Sequence, residues 1–577
     1  MFKPVVSLVT VAVIAALNPS LSYADQKKDI EVIEVTSNFR QQNLMTVDGS
    51  ISVIGSDEIV KRGAAHSENL LGALANVNFS SGASRGNYIQ IRGIGLRSQF
   101  VDPVNPSVGL IIDGINYSGL GGASMLFDVD SYALYRGPQG TQFGNDALAG
   151  LIKIDSVAAA ADQESRLLLS VGDYNSHRYG IATGTSFGDD VHVRLSAVSQ
   201  VTDGYITNKH LNVKDTNNID ESNVKLKLNW QATDDLSFDA VMHYIDVDNG
   251  YDSFSLDLNR DTLSDQPGRD TQLTKAFGLT TRYQGFDFAN VEIILSSLQS
   301  DLIYSYDEDW SYVGIPGWGY SWKDIYNRER QQSSADLRLL SKGKSLFNQK
   351  ASWVAGLYLN QRDSDLARVH TKAKYDVSSV NEHRDIAVYG QIEYDLSEQT
   401  VLTVGARVGQ YDIEYFDTRL TDQVVSDNLY GFNLSLNHQL NKQAMIYLAL
   451  TRSDKAGGVN AQALANPDTF ASEVYRQQLL ANSSFAPETL YSLEYGVKGR
   501  SLDDSLTIKM AAFYNYRQDP QLKSTITDKD DNASPVFVDF IDNAGSGRGY
   551  GLELEADYQA TDSISLFLTA GYLQTTI

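Results

Sequence analysis

Apolar and polar residues alternate along the chain from residue 164 to its last residue. In 224–230 (VKLKLNW) every second residue is apolar, and the same period of two returns in 551–558 (GLELEADY) and 564–572 (ISLFLTAGY). Successive residues of a β-strand point to opposite faces, so each segment has one apolar and one polar face. The pattern predicts a series of amphipathic β-strands over residues 158–577.

The connectors between these strands alternate between short and long. The short ones are 188–190, 232–235, 284–287, 397–399, 441–443, 502–504 and 560–562, and the long ones are 202–220, 247–275, 307–328, 366–382, 451–487 and 520–547. Tight turns at one rim and long loops at the other are typical of an outer-membrane barrel. The alternative, a large soluble β-protein with one solvated face, gives no reason for this alternation. We therefore predict an all-β transmembrane antiparallel barrel, with about seventeen strands in this chain.

The composition agrees with a barrel and narrows the function. The mature chain has no run of ~20 apolar residues, so no membrane-spanning helix is predicted. Tyr514 and Tyr516 end an apolar run of strand residues, which is the position of the aromatic girdle of a membrane barrel. The net charge of -25 argues against nucleic acid as a partner, and the absence of cysteine excludes disulfides and thiolate zinc sites.

The first 24 residues have the organisation of a secretory signal peptide. Lys3 precedes an apolar run from Val5 to Leu17, and Ser22-Tyr23-Ala24 supplies a cleavage site of small residues. The apolar run is too short to span a bilayer. We expect cleavage after Ala24 and export from the cytoplasm.

Residues 25–157 lack the barrel period. We divide them into an N-terminal segment, 25–40, and a compact mixed α/β domain, 41–157. In this domain Ser67 to Leu74 has apolar residues at helical spacing behind a candidate N-cap, while Val108 to Ile112 and Leu151 to Ile154 read as short apolar strands.

Six segments resemble the motifs of one protein family. They are 69–79 (NLLGALANVNF), 88–95 (YIQIRGIG), 108–117 (VGLIIDGINY), 133–154 (ALYRGPQGTQFGNDALAGLIKI), 485–498 (FAPETLYSLEYGVK) and 543–558 (NAGSGRGYGLELEADY). They are similar to the plug and barrel of TonB-dependent outer-membrane receptors of the siderophore-receptor type. The chain departs from that pattern where Ala75-Asn76 replaces the usual Pro-Gly, and where Ala133 replaces the usual acidic residue before Arg-Gly-Pro.

The resemblance implies active transport across the outer membrane of a Gram-negative bacterium. In this family the N-terminal plug fills the lumen of a 22-stranded barrel, and the inner-membrane protein TonB pulls on an N-terminal segment, the TonB box. An extended β-branched segment suits that role because it can add a strand to the edge of a partner's sheet. The alternative is a simple N-terminal strand. The expected box is Ile30, Glu31, Val32, Ile33, Glu34, Val35 and Thr36.

Two arguments, the alternation along the strands and the family resemblance, predict a cluster of charged residues between plug and barrel. Alternation points Leu493, Tyr495 and Val497 outward, so Glu494 faces the lumen, and the same count places Glu553 there. The resemblance adds Arg92 and Arg136 of the plug as their partners. Buried carboxylates need partners, and a guanidinium offers bidentate ones. The alternative is that both glutamates face water in the lumen.

The cargo is the least determined part of the function. The loop 307–328 is expected outside the cell and is rich in aromatic residues, which suits stacking on an aromatic chelate or a sugar. A self-packing loop cluster or a part of the girdle explains the same residues equally well. The candidate ligand contacts are Arg97, Gln99 and Phe100 on the plug, and Trp310, Tyr312, Trp318, Tyr320 and Trp322 in the loop.

The sequence predicts a monomeric transporter with no cofactor and no metal site of its own, surrounded by outer-membrane lipid. The expected ligand is a ferric siderophore, with a vitamin such as cobalamin or an oligosaccharide as the alternative. No enzyme motif is present: His-Glu-x-x-His and a phosphate loop are both absent. A passive porin is the alternative from another class, but a porin has no use for a domain of ~120 residues in its pore.

The number of strands leads to a further expectation. About seventeen strands is fewer than the family's twenty-two, and bacterial barrels normally have an even number. The chain is therefore expected to lack its last strands. We expect an open seam between the strand near 164–171 and the strand near 563–573, with backbone groups that lipid cannot satisfy.

Overall fold

The fold consists of a small N-terminal domain, the plug, inside a large curved sheet. The computed structural model describes residues 34–37, 39–81, 83–96, 106–316, 319–371, 376–419, 421–461, 472–501, 505–528, 536–561 and 563–577. The expected signal peptide therefore lies outside the described residues. No helix within these ranges is long and apolar enough to cross a membrane.

The plug contains nine short strands and three short helices among its described residues. The strands are β1 Glu34–Ser37, β2 Arg40–Asn43, β3 Ile51–Gly55, β4 Val77–Ser80, β5 Tyr88–Ile91, β6 Val108–Ile112, β7 Ile115–Asn116, β8 Val129–Arg136 and β9 Gly150–Ser156. The helices are α1 Ser56–Lys61, α2 Glu68–Leu71 and α3 Gly140–Phe143, and single 3₁₀ turns lie at Leu44–Thr46, Gly121–Ala123 and Asn145–Ala147.

A five-stranded sheet, in the order β3-β8-β9-β6-β7, organises the plug. Strands β6 and β9 are parallel, and the other neighbours are antiparallel. The β6–β7 hairpin turns on Asp113-Gly114, and both residues have positive φ (50° and 82°), as a two-residue type I′ turn requires. Fully buried apolar side chains fill the core: Leu70, Leu71, Ile91, Tyr132, Leu134, Leu148 and Ile152.

Two of the predicted plug strands are confirmed, and the predicted helix is shorter than expected. Strand β6 has the predicted bounds, and β9 includes the predicted Leu151 to Ile154. The helix predicted from Ser67 to Leu74 has only four residues. Ser67 makes no side-chain cap because its hydroxyl bonds the Ser124 hydroxyl at 2.6 Å.

The remaining strands lie in the barrel and its loops. In chain order they are β10 Arg166–Gly172, β11 Ser176–Phe187, β12 Val191–Thr202, β13 Thr207–Asn208, β14 Ile219–Thr233, β15 Leu236–Tyr251, β16 Asp261–Thr262, β17 Gly268–Tyr283, β18 Ala289–Asp307, β19 Lys323–Ser341, β20 Ala351–His370, β21 Val377–Ser397, β22 Thr400–Asp417, β23 Asp422–Asn441, β24 Ala444–Lys455, β25 Gly458–Val459, β26 Ser484–Phe485, β27 Glu488–Arg500, β28 Leu506–Gln518, β29 Gln521–Asp528, β30 Val536–Asn543, β31 Ser546–Thr561 and β32 Ile564–Thr576. The helix α4, Glu473–Ala481, lies in an outer loop.

Seventeen of these strands form one antiparallel sheet in the part of the chain that the structure describes. Its order is β10-β11-β12-β14-β15-β17-β18-β19-β20-β21-β22-β23-β24-β27-β28-β31-β32, so every strand pairs with its neighbour in the chain. The first and last strands of the sheet, β10 and β32, make no ladder with each other among the described residues. The predicted barrel wall and the expected open seam are both confirmed.

The two faces of the wall differ as the sequence pattern predicts. On β14, Val224 and Leu226 are exposed on the outside, while Lys225 is buried on the inside. Aromatic pairs lie near the short-turn rim, including Trp230–Phe238 with ring centroids 5.2 Å apart and Tyr283–Phe286 at 5.1 Å. This arrangement is an interfacial girdle around an apolar outer band.

The long loops have structure of their own. Strands β29 and β30 pair as a hairpin, and β13 pairs with β16 in parallel. Helix α4 packs against that hairpin through Leu479, which meets Ile526, Val538 and Phe540 in a small apolar core. The outer rim is therefore a folded layer.

The outer face of β21 provides a test of the membrane orientation. Val388 lies in its apolar stretch and is 58% exposed, so Val388→Arg should destabilise the folded protein by about 2–4 kcal/mol in lipid. Glu382→Arg, nearer the long-loop rim on the same face, should cost about 0–1 kcal/mol. Denaturant unfolding in phospholipid vesicles measures both, and equal costs would contradict the assigned band.

Candidate functional site between plug and wall

A tight turn places Arg92 at the surface of the plug. Arg92 and Gly93 follow β5, and both have positive φ (53° and 77°). This conformation is unfavourable for a residue with a side chain and costs about 1–3 kcal/mol, so the surrounding contacts must hold it. The turn aims the guanidinium away from the plug and towards the barrel wall.

Arg92 is only 1% exposed and contacts two glutamates of the wall. Its Nη2 donates to Glu494 Oε2 at 2.6 Å and to Glu553 Oε2 at 2.8 Å, and its Nε donates to Glu553 Oε1 at 2.9 Å. Both glutamates are on the lumenal face, as alternation along β27 and β31 predicts. The contact with Glu553 is bidentate, the strongest geometry available to this pair.

Arg136, at the end of β8, lies beside this contact. Its Nε donates to the Ala75 carbonyl at 3.0 Å and is 3.8 Å from Glu553 Oε1. The next residue, Gly137, has φ +80°, and a Cβ there would be 3.2 Å from the Arg92 guanidinium. The Arg-Gly pair in this motif therefore lets the two arginines approach the same carboxylates.

Other groups satisfy the remaining lone pairs of the glutamates. Ser50 donates its N–H to Glu494 Oε1 at 2.8 Å and its hydroxyl to Glu553 Oε2 at 2.7 Å. The Tyr447 hydroxyl donates to Glu494 Oε1 at 2.7 Å, and the Phe513 ring lies 3.9 Å from the Arg92 guanidinium carbon. The charges are thus buried together with their partners.

The electrostatics keep Arg92 charged. Burial alone would lower the pKa of its guanidinium, but the charges of Glu553 and Glu494 more than offset burial and raise that pKa above its ordinary value. Removing either partner would leave a charge in a site without water access, at a cost of several kcal/mol.

Sequence reasoning missed one member of this cluster. Glu555, two residues beyond Glu553 on the same face of β31, accepts from Arg136 Nη2 at 3.2 Å and pairs with Lys509 at 2.7 Å. The period of two was a sufficient signal, since it places Glu555 on the lumenal face as well.

Further ties join plug and wall on other sides, and three of the ion-paired ones were not indicated by the sequence. Arg194 makes a bidentate contact with Asp128 at 2.6 and 2.7 Å, and Arg85 makes one with Glu221 at 2.6 Å. Asp113, in the hairpin turn, accepts from Lys227 Nζ at 3.0 Å and lies 3.1 Å from His243 Nε2. The plug is held by ion pairs around its circumference.

The expected TonB box is only partly within the described residues. Ile30, Glu31, Val32 and Ile33 lie outside them. Glu34, Val35 and Thr36 belong to β1, which pairs with β2 through Glu34↔Asn43, Val35↔Gln42 and Thr36↔Gln41. The strand character predicted for this segment is present where the structure describes it.

The residues after β1 attach to the short-turn rim of the barrel. The Phe39 ring stacks on Tyr389 with centroids 5.1 Å apart and an interplanar angle of 6°. Arg40 Nη2 donates to the Ser341 carbonyl at 3.1 Å and to the Trp353 carbonyl at 3.3 Å. We name Phe39 and Arg40 the rim anchor.

The aromatic residues of the loop 307–328 pack on neighbouring loops. Trp310 stacks on Phe254 at 4.5 Å, and Tyr312 stacks on His210 at 3.9 Å. Tyr320 and Trp322 stack on each other at 4.0 Å. The loop is shorter than predicted because β19 begins at Lys323 and takes up the last residues of that segment.

The other candidate ligand contacts cannot be placed. Arg97, Gln99 and Phe100 of the plug and Trp318 of the loop lie outside the described residues. Within the described ranges, no group of three or more His, Asp or Glu side chains is arranged to hold a metal ion.

A cavity of about 1730 Å³ lies between the plug sheet and the short-turn end of the barrel wall. Rim residues such as Gln284 and Leu340 line it, so it lies on the short-turn side. The rim anchor also lines this cavity, as does Phe143 of α3.

Comparison with known proteins shows a match over both parts of the chain. Residues 43–151 match the family described as TonB-dependent Receptor Plug Domain, and residues 156–576 match TonB dependent receptor-like, beta-barrel. A pesticin receptor of Yersinia enterocolitica is 22% identical over 566 residues, which cover 94% of this chain and 78% of that receptor. The vitamin B12 transporter BtuB of Vibrio vulnificus is 24% identical over 205 residues, 34% of this chain and 33% of that protein.

A solved structure shares the fold. The ferric yersiniabactin uptake receptor FyuA from Yersinia pestis superposes with a TM-score of 0.73 at 19% identity, over 92% of this chain and 79% of that chain. The matched barrel family alone covers more than half of the sequence. The chain therefore belongs to the TonB-dependent receptors, which are transport proteins of the Gram-negative outer membrane and not enzymes.

Proposed function

We propose that this receptor imports a ferric siderophore, using force that TonB applies to its N-terminal segment. The observation that carries the proposal is the buried contact of Arg92 with Glu494 and Glu553. A lumen closed by ion pairs cannot conduct passively, so the plug has to be moved before a ligand can pass. This argues against a porin.

The relatives support iron as the cargo. The similar solved structure is named for ferric yersiniabactin uptake and matches nearly the whole chain, whereas similarity to the vitamin B12 transporter covers only a third of it. We propose that the receptor works as a monomer within outer-membrane lipid. Arg97, Gln99, Phe100 and the loop aromatics stay candidate ligand contacts, and the packing of those aromatics on neighbouring loops supports a role in shaping the outer rim.

Growth tests the cargo. A strain lacking this receptor and its relatives should recover iron-limited growth with the receptor only when certain ferric siderophores are supplied. Cobalamin and oligosaccharides, each tested as the limiting nutrient, should give no receptor-dependent growth. Recovery with cobalamin or an oligosaccharide alone would replace the siderophore as cargo while leaving the mechanism in place.

The TonB box should be sensitive to loss of a backbone donor. Val35→Pro removes one N–H and fixes φ, so it should abolish uptake while ligand binding at the cell surface persists. Val35→Ala keeps the N–H and should transport normally. Radiolabelled iron uptake and binding at 0 °C separate the two effects, and normal uptake by the proline variant would show that the box lies elsewhere.

We propose that Arg92, Arg136, Glu494 and Glu553 lock the plug in its closed position. Glu494→Gln together with Glu553→Gln removes both counter-charges of Arg92 while keeping side-chain volume. Breaking a buried pair on one side costs about 3–5 kcal/mol, so amides of β3 and β5 should exchange with deuterium much faster.

The matched control is Glu292→Gln. Glu292 also lies on the wall but pairs with Arg282 and Arg338, both wall residues, at 3.0 and 3.1 Å. Exchange in the plug should not change in this variant. If the double variant exchanged no faster than the control, the two glutamates would not hold the plug.

A further inference from the structure

Strands β19 and β20 separate their charges between the two faces of the wall. In 328–332 (RERQQ) and 361–365 (QRDSD), charged residues of opposite sign alternate. Arg330 and Arg362 are buried on the lumenal face, whereas Glu329 and Asp365 are exposed on the outer face. A cationic lumenal face is unexpected in a chain with a net charge of -25.

The strand registers distribute the lumenal arginines of this sector along the height of the wall. Arg330 lies opposite Ser364, Arg362 lies opposite His383, and Arg407 lies opposite Tyr389. Each step of two residues advances about 6.6–6.8 Å along a strand. From the long-loop side to the cavity, the arginine ladder consists of Arg368, Arg328, Arg330 and Arg362, followed by Arg407 and Arg338, which lie at the same level.

Tyrosines bridge the widest gap in the ladder, between Arg362 and Arg407. Arg362 Nη2 donates to the Tyr411 hydroxyl at 3.0 Å, and the Arg407 guanidinium carbon is 4.8 Å from the Tyr358 ring centroid. Arg407 and Arg338 both line the cavity at the short-turn side. The ladder therefore runs from the long-loop side of the lumen to the cavity at the short-turn side.

Both ends of the ladder have close ion pairs, whereas Arg330 at its centre has none within the described part of the chain. Arg362 lies 3.5 Å from Asp146 of the plug, and Arg407 lies 3.7 Å from Asp385. Arg368 pairs with Asp324 at 2.8 Å, and Arg338 pairs with Asp336 at 2.6 Å. Among the described residues Arg330 has no carboxylate oxygen within 4.0 Å. Its two terminal nitrogens donate to neutral oxygens of Ser118 and Gln332, at 2.7 and 2.9 Å.

Several buried polar atoms at the same place have no hydrogen-bond partner within the described residues. They are Arg330 Nε and both amide atoms of Asn381, a side chain that is 2% exposed. Asn381 lies opposite Ser364, which lies opposite Arg330. Buried polar groups are normally satisfied, so donors without protein partners here indicate a site for a polar ligand or water.

We propose that the arginine ladder is the track along which an anionic iron chelate crosses the lumen once the plug has moved. The ligand class is a chelate with carboxylate or phenolate oxygens, since a planar guanidinium binds such oxygens with two parallel hydrogen bonds. A series of separate sites lets the ligand move from one to the next without being trapped at one. The inference rests on the proposed transport function and adds its route and the charge of its cargo.

Charged reagents that modify thiols test the electrostatic potential along the ladder, and the test does not require the ligand to be known. The chain has no cysteine, so Ser364→Cys introduces a single thiol opposite Arg330. In the full chain in outer-membrane fragments, anionic sulfonatoethyl methanethiosulfonate should react at least about tenfold faster than the cationic trimethylammonioethyl reagent, because a cleft of one sign concentrates counter-ions. Equal rates, a faster cationic reagent, or a thiol that neither reagent reaches would overturn the proposal.

The matched control is Gln200→Cys, on the lumenal face of β12. Gln200 lies between one cation and one anion, opposite Arg178 on β11 and Glu221 on β14, so the two reagents should react there at similar rates. In the Ser364→Cys background, Arg330→Gln with Arg362→Gln should abolish the preference, and Arg330→Lys with Arg362→Lys should keep it. A preference that survived the glutamine pair would show that other charges create it.

This test is independent of the cargo screen. If no siderophore supports growth but the anionic preference is present, the proposed function fails while the anionic track stands. If siderophores support growth but the Ser364→Cys variant shows no anionic preference, the track fails while the transport function stands.

Discussion

The burial of Arg92 against Glu494 and Glu553 is the constraint on which the rest of the structure depends. Each of these charges would be costly alone in a site without water, so neither the plug nor the wall can keep its conformation here without the other. The left-handed backbone of Arg92 is held by these wall contacts and by its own N–H, which donates to the Asn76 carbonyl at 2.8 Å. The cluster thus couples the position of the plug to the conformation of its own turn.

The same constraint explains why the plug can be moved at all. A barrel with an apolar outer face has a polar lumenal face, so the plug meets the wall through ion pairs such as Arg194–Asp128 and Arg85–Glu221. Water can replace each of these contacts when the interface opens, whereas a large apolar interface would have to be exposed at a cost proportional to its area. A polar interface is therefore stable while water is excluded, and it can separate once water solvates its charged groups.

The sequence predicted those features that depend on a single strand, and it did not predict contacts between segments that are distant in the chain. Alternation alone oriented Glu494 and Glu553 correctly, because a period of two is a property of one strand. The contact of Asp113 with His243 and Lys227 could not be found in this way, because it depends on how the plug is rotated inside the barrel. The stacking of Trp310 on Phe254 depends likewise on the meeting of two loops. Ser67 was a reasonable cap by sequence, but the fold brought Ser124 to its hydroxyl instead.

The N-terminal segment and the arginine ladder meet at the same cavity. In the proposed mechanism, force on β1 would reach Phe39 and Arg40 first, because these residues follow the strand directly and contact the rim. Phe39 stacks on Tyr389 of β21. Tyr389 lies opposite Arg407 on the adjacent strand β22, and Arg407 belongs to the ladder. In the proposed mechanism, release of the rim anchor would open the cavity at the point where the ladder ends. The Arg92 cluster contacts β27 and β31, further along the same sheet. Because Phe39 and Arg40 precede Arg92 in the chain, we expect a pull on the N-terminal segment to act on the rim anchor before it acts on the lock that we propose at Arg92.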